Sequence, residues 1–556
     1  MSEALGQLQI RHGKLRRFHL VSLVWVLLIF CLSGCTSFVT DTQPLHTTYA
    51  ILQQGTTLGQ TFVAAYDGLS GLAFDLAPEI VGNAKIILHL RASPDSQVDI
   101  VSAILQIKSD DASGVYHFSF SPQDNSRRQY YYAYLELQGG GQIKVGMAWG
   151  GAYLDGAIYQ DHIPYNSQMS FSLVYDRAQA FIGVIKQMFS WVGMLLFSII
   201  LYILPGWALL RWLWKEWNQF DWAAKAALSA GVSLAMIPLF FLWTDLVGLH
   251  LGGGYAWIPG IIALVGLFWM NRKSVLSFRF RWSKDKAGTL LSNLLPDILL
   301  VFLLLGVFFV RLWSVRNLDL PMWGDSYQHT VITQLMLDHG GLFDAWEPYA
   351  PLETLTYHYG FHADAAVFAW LARLPATRAV IWIGQLLNGL AVLAVYPFAI
   401  RLGGNRWAGV VGLLLAGLCF PMPMEYVNWG RYTQLAGQTI LPVFALLFLD
   451  VLQQEEHDWK EILVLAILLS GLALTHYRIL IFALTVLPAF IILKVRRKNF
   501  LSSMIRMFIL GIGSLLLFLP WFIHVYGARI LAILQTQLTT PASANPVGLD
   551  QYNAIG

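Results

Sequence analysis

The sequence predicts a polytopic α-helical membrane protein of about 10–11 transmembrane helices carrying an N-terminal extracytoplasmic all-β sandwich. Three observations lead there. The chain is 56% hydrophobic and only 12% charged over 556 residues, with a mean hydropathy of +0.54, a composition that suits lipid better than water. From Phe181 onward, apolar runs of helical length recur, separated by short polar stretches. Before that point the pattern is different, with short alternating runs between turn-rich segments. The formal charge of +3 says little about partners, and no nucleic-acid partner is expected. Three cysteines, Cys31, Cys35 and Cys419, provide neither a disulfide framework nor a zinc spacing.

Residues 1–38 hold a basic segment, an apolar run and Leu32-Ser33-Gly34-Cys35. A basic stretch followed by an apolar run of this length is an export signal, and Leu-Ser-Gly-Cys resembles the bacterial lipobox, after which the cysteine is lipidated. An uncleaved signal-anchor helix accounts for the same residues. Either way, residues 39–178 are delivered outside. The runs KIILHLRA, SAILQIKS, YHFSFSP, QYYYAYLELQ, QIKVGMAW and MSFSLVYD alternate with period two between turns, as strands of a sandwich do. Tyr130, Tyr131 and Tyr132 offer faces on which sugar rings stack. Alternation inside a sandwich explains them equally well.

Residues 179–294 read as accessory transmembrane helices and 295–556 as a second membrane block. Spans are expected near 182–204, 224–246, 256–270, 297–315, 379–400, 407–423, 434–451, 462–475, 479–493 and 504–524. The loop Asn271–Gly288 carries Arg272, Lys273, Arg279, Arg281, Lys284 and Lys286, and the segment after residue 493 carries Lys494, Arg496, Arg497 and Lys498. Both belong in the cytoplasm by the positive-inside rule. Counting spans from them puts the β-domain, the loop 316–378, the segment Met424–Thr433 and the turn His476-Tyr477-Arg478 outside, provided that 362–374 is an interfacial helix. That places the chain in the plasma membrane as a multi-pass protein with its polar motifs facing the extracytoplasmic side.

The external loop 316–378 organises the rest. Between Pro321 and Asp364 it packs Asp325, His329, Asp338, His339, Asp344, Glu347, Glu353, His358, His362 and Asp364, a density of ionisable groups that must be wet or buried in protein. Asp325 and His329 stand four apart, as do His358 and His362, so that each pair shares a helical face. A pocket lined by both suits a proton, a phosphate or a divalent metal such as Mg or Mn, with Asp325, His329, His358 and His362 as its ligands. No other cofactor is expected.

An apolar helix, a long first external loop with an acidic residue just past the membrane, then an aromatic and His-containing segment leading into the next span resembles the GT-C superfamily of integral-membrane glycosyltransferases. Its branches include the protein O-mannosyltransferases, aminoarabinose transferases and oligosaccharyltransferases. The resemblance covers roughly residues 295–530. It implies a polyprenyl-phosphate or polyprenyl-diphosphate sugar donor, a glycan, lipid or protein acceptor, and a catalytic role for Asp325 in Gly324-Asp325-Ser326. The family's His-Pro-Pro after the loop is replaced here by His358-Tyr359-Gly360-Phe361-His362, and four membrane segments precede the region of resemblance. An end at Gly556 suits either a compact member or a chain lacking its C-terminal part.

The same roles follow from the chemistry. Moving a sugar from a lipid phosphate to a hydroxyl needs a carboxylate to take the proton and cations to hold the leaving phosphate. Asp325 is the candidate base, although an aspartate before a helix also serves as its cap. Arg431 in Trp429-Gly430-Arg431-Tyr432 and Arg478 in His476-Tyr477-Arg478 are the candidate phosphate ligands, or else interfacial anchors. His329, His358, His362, Tyr357, Gln434 and His476 complete the pocket. Two other classes compete: a transporter or flippase of lipid-linked or soluble solutes, and a non-catalytic cell-surface assembly protein.

Overall fold

The computed structural model describes residues 37–275, 287–322, 324–454, 458–495 and 500–539. The export signal with Cys35, the basic stretch 276–286, Trp323 and the basic residues Arg496–Lys498 lie outside the described residues. The chain divides into two compact units, Met1–Ser190 and Trp191–Gly556.

Among its described residues the first unit holds thirteen strands: β1 Ser37–Gln43, β2 Thr48–Gln53, β3 Thr57–Val63, β4 Leu69–Ile80, β5 Asn83–Arg91, β6 Val101–Lys108, β7 Gly114–Gln123, β8 Tyr130–Gln138, β9 Gly141–Trp149, β10 Ile158–Gln160, β11 Ile163–Tyr165, β12 Ser167–Met169 and β13 Phe171–Asp176. One sheet runs β1-β13-β4-β9-β12 with β2 and β7 attached, and the other runs β11-β10-β3-β8-β5-β6. Alternation makes the sandwich: Leu76, Ile143 and Val145 of the first sheet and Phe62, Ile86 and Leu88 of the second meet in one buried core, as opposed inner faces must. More strands form than the roughly eight expected of the sandwich: β1–β4 precede the six quoted runs, and β10, β11 and β12 are three-residue strands too short to show a period.

The tyrosine run does not present three sugar-stacking faces. Tyr131 points into the core and stacks on Phe62 at 5.8 Å, while Tyr132 is fully buried. The Tyr132 ring lies on Gly59, where a Cβ would come within 2.5 Å of it. A two-residue hairpin turn with Asp161 and His162 both at positive φ brings His162 Nδ1 to 3.2 Å from the Tyr132 hydroxyl. Only Tyr130 remains exposed. With its core closed in this way, the stretch 37–176 expressed alone is expected to give a soluble product with a β-type circular dichroism spectrum; an aggregated product without that spectrum would show that it needs the helices.

The remaining elements are helical: α1 Arg177–Tyr202, α2 Leu204–Leu213, α3 Trp222–Asp245, α4 Gly254–Val275, α5 Ala287–Ser314, α6 Ser326–His339, α7 Gly360–Ala372, α8 Ala376–Gly403, α9 Arg406–Leu414 continued by a π-turn at Leu415–Cys419, α10 Tyr432–Gln453, α11 Trp459–Thr475, α12 Tyr477–Lys494 and α13 Phe500–Thr539. Among the described residues six segments are long and apolar enough to cross a membrane: Arg177–Leu213, Trp222–Asp245, Leu294–Ser314, Ala376–Gly403, Tyr432–Leu452 and Phe500–Gly527. Gly254–Met270, Arg406–Cys419 and Tyr477–Ile492 are shorter apolar helices. Six of the ten expected spans thus fall on helices of crossing length; 256–270, 462–475 and 479–493 fall on shorter ones, and 407–423 runs past the end of its helix at Cys419. Expected span 182–204 runs through the break at Ile203, where Pro205 opens α2, as proline favours the first turn of a helix.

Charged contacts gather at the ends of these helices. At one end, Arg406 at the start of α9 binds Asp297 of α5 and, at 3.2 Å, Asp221 before α3, and the Tyr396 hydroxyl donates to the same Asp221 at 2.7 Å. Arg401 near the end of α8 pairs with Asp450 near the end of α10 at 2.9 Å, and Arg506 of α13 donates to the carbonyls of Val451 and Gln454. The opposite ends carry the external motifs read from the sequence.

Candidate functional site

Two glycines let the motifs meet. Gly324 has φ +50° and Gly430 φ +65°, a region that side chains with a Cβ rarely adopt. A Cβ on Gly324 would collide with the Trp429 carbonyl oxygen, and one on Gly430 would come within 2.6 Å of the Ser326 amide nitrogen. The backbone before α6 therefore lies directly on the backbone before α10, putting Gly324-Asp325-Ser326 against Trp429-Gly430-Arg431. Gly360 makes a third close approach: a Cβ there would strike Thr475, which brings the start of α7 to the end of α11 and so to His476.

Asp325 precedes α6, yet its side chain makes no capping hydrogen bond. The carboxylate instead faces Arg431, with Oδ2 to Nε at 4.0 Å and side chains 37% and 44% exposed. A contact that long is loose and solvent-screened, leaving both groups free to engage a ligand. Arg478, in the first turn of α12, is exposed. It too lies near the site, because Tyr357, whose hydroxyl pKa is pushed up mainly by burial, is also raised by Asp325 and lowered by Arg431 and Arg478. Tyr357 hydrogen-bonds Thr433, next to Arg431. Gln434, half-buried, stands in the first turn of α10.

Behind these groups lie four histidines. His329 Nδ1 and His362 Nε2 are 2.9 Å apart, joining α6 to α7. One ring must donate and the other accept, so that at least one of the pair is neutral. His358 packs between Tyr357, at 3.8 Å between centroids, and His476, at 4.8 Å, and neither of its ring nitrogens has a hydrogen-bond partner. His476 caps α12 by accepting the Ile479 N–H at 3.3 Å. Burial lowers the pKa of His329 to about 4 and that of His476 to about 4, helped for His476 by Arg478 and Arg431. His358 lies well below the usual value through burial and the neighbouring His476, His362, His329 and Arg478.

These neutral imidazoles have a consequence for stability. An unfolded histidine takes up its proton near pH 6.5, whereas His329 and His476 do so in the fold near 4. Between those values the unfolded state binds more protons, so that stability is complete above about pH 6.5 and falls as pH drops toward about 4. Thermal unfolding of the purified protein followed from pH 7 to pH 4 is expected to show this slope, with a shallower one in His329→Gln. A flat profile in the wild-type chain would contradict the buried neutral assignment.

The sequence-derived metal set does not come together. Among the described residues no group of three or more His, Cys, Asp or Glu side chains is arranged to hold a metal ion. His329 and His362 are turned toward each other, and Asp325 is partly exposed while His362 is fully buried. Of the other acids of the loop, Asp344 and Glu347 are exposed, whereas Asp364 is fully buried with both carboxylate oxygens unpaired, so that burial holds its pKa well above the usual range. A carboxyl kept protonated in this way is a poor base.

No family model matches the chain, and no curated protein is detectably similar to it.

Sequence reasoning overlooked the clamp beneath the site. Arg311, buried in the last turn of α5, donates from Nε to Asn388 Oδ1 at 2.8 Å and from Nη2 to the Gly417 carbonyl in the π-turn at 2.8 Å, and its Nη1 lies 3.1 Å from Met424 Sδ. Asn388 in turn donates to the carbonyls of Pro423 and Met424. The segment that leads into Trp429-Gly430-Arg431 is thus pinned to two long helices. An arginine and an asparagine inside apolar runs were the available signal.

Proposed function

We propose that the protein is a membrane glycosyltransferase that moves a sugar from a polyprenyl-phosphate donor to an acceptor hydroxyl on the extracytoplasmic side, as the resemblance to the GT-C superfamily implies. The observation that carries this reading is the meeting of an uncapped, partly exposed carboxylate, Asp325, with Arg431 at the ends of apolar helices. Asp325 would take the proton of the acceptor hydroxyl as that oxygen attacks the anomeric carbon. The bond from that carbon to the phosphate oxygen breaks in the same step, and the charge left on the lipid phosphate falls to Arg431 and Arg478. Guanidinium groups suit this task because their planar fork meets two phosphate oxygens at once.

The histidines take a different part. Being neutral, they do not hold the phosphate as cations; a neutral imidazole has one donor and one acceptor nitrogen, and the nitrogens without a protein partner, both of His358 and Nδ1 of His362, suit hydroxyls of a sugar. His329, His358, His362 and His476, with Tyr357 and Gln434, are assigned to the donor pocket. No step is routed through a metal, since the ligand set does not converge. The placing of Asp325, Arg431 and Arg478 at helix ends favours transfer at a membrane surface over transport, which concentrates polar groups at the midplane.

Incubating membranes that contain the chain with a panel of radiolabelled polyprenyl-phosphate sugars tests the proposal. Label is expected to leave the lipid-linked pool for an acceptor from at least one donor; transfer from none would overturn it. Sidedness has its own test. A cysteine at Asn428, exposed beside Trp429, is expected to react with an impermeant thiol reagent in intact cells, whereas one at Leu402, exposed at the far end of α8, is expected not to. Labelling of the second and not the first would reverse the orientation.

A further inference from the structure

A cavity of about 590 Å³ lies between α2, α3 and α4, and none of its lining residues belongs to the histidine site. Its origin is visible in the sequence. Pro205, Ala208, Ala263 and Gly266 line the facing walls, and a Cβ on Gly266 would meet nothing within 4 Å. Small side chains thus face one another without filling the space between the helices. No charged side chain lines the cavity, and the one lining hydroxyl, that of Ser233, is occupied in accepting the Gly206 N–H at 2.8 Å.

Such a space has few ways to be filled. An ordered water needs two to four polar partners, which these walls do not supply. Left empty, the lining would lose its dispersion contacts on one side, a loss that grows with cavity volume. Two of the walls belong to segments long and apolar enough to cross a membrane and the third to a shorter apolar helix. Trp212, Ile262 and Trp269 are exposed at the cavity's edge, so the medium at its mouth is bilayer hydrocarbon. A cation stands only at the rim, where Arg272 lies 3.9 Å over the Trp269 ring; the groove itself is lined by no charged side chain, so what it recognises is the chain of a lipid.

We propose that this groove is a binding site for one acyl chain of a bilayer phospholipid, a structural lipid site independent of the transfer reaction. Acyl chains are the abundant hydrocarbon at a mouth that opens sideways into the membrane. The test uses the full chain in nanodiscs containing a phosphatidylcholine with a photoactivatable diazirine midway along one acyl chain. After irradiation, label is expected to concentrate in the peptides spanning 205–212 and 258–270, above the level on the exposed apolar faces of α5 and α13. G266W, which fills the groove from a position with free space, is expected to abolish that concentration. G306W, a substitution at an equally unobstructed glycine of α5, is expected to leave it intact. The wild-type pattern is informative by itself should G266W fail to fold. Label no denser in the groove than on α5 and α13, groove labelling unchanged in folded G266W, or preferential labelling by a diazirine-bearing polyprenyl phosphate at equal concentration would each overturn the proposal.

Discussion

Asp325→Asn is expected to lose transfer while the protein still inserts and folds, with turnover down by about 100- to 10,000-fold, the usual range for removal of a general base. The prediction is sharper than the sequence alone allows, because the competing role has been removed. Had Asp325 capped α6, its loss would have cost about 1 kcal/mol of stability; but its side chain makes no capping bond. Turnover measured with a verified donor, beside the melting temperature of the same preparation, separates the two roles. Near wild-type turnover would sink the assignment, and Asp344 or Glu347, both exposed, would then follow as candidates ahead of buried Asp364.

Arg311→Met is expected to be the most damaging change outside the pocket. The substitution keeps much of the side-chain length but strands Asn388 Oδ1 and the Gly417 carbonyl, both of which now accept from the guanidinium. A buried acceptor left unpaired costs about 1–3 kcal/mol, and two are involved. Among the described residues no carboxylate stands within ion-pair distance of Arg311, so that removing it leaves no opposite charge exposed. The effect should therefore appear as a lowered melting temperature, together with weaker transfer as the segment that carries Arg431 loosens. An unchanged melting temperature would show that the clamp is not needed.

Much of this was legible in the sequence, and the limits have physical causes. Periodicity of 3.6 and of 2 separated helices from strands, since each reports which face is buried. Asp325 stood out through the resemblance to the GT-C superfamily, with helix capping as the competing use of an aspartate at that place. The contact of His329 with His362 was hidden because it joins residues 33 positions apart, and spacing along one helix, which pairs His358 with His362, gives the wrong partner. Nothing in the sequence sets Gly324 and Gly430 apart from other glycines; only the three-dimensional approach of the two backbones shows why a Cβ is excluded at both. The tyrosine run was ambiguous in principle, because alternation in a strand buries every second ring, and here the hairpin at Asp161-His162 covers a further one.

The central claim is that Asp325, Arg431, Arg478 and the histidines form one pocket for a sugar linked to a lipid phosphate. Equilibrium binding of a polyprenyl-phosphate sugar to the purified chain in nanodiscs tests it most directly, compared among wild type, Arg431→Lys and Arg478→Lys. Lysine keeps the charge and loses the fork, so saturable binding is expected in the wild-type chain and weaker binding in both variants at unchanged melting temperature. Equal binding in all three, or none to any polyprenyl-phosphate sugar, would contradict it.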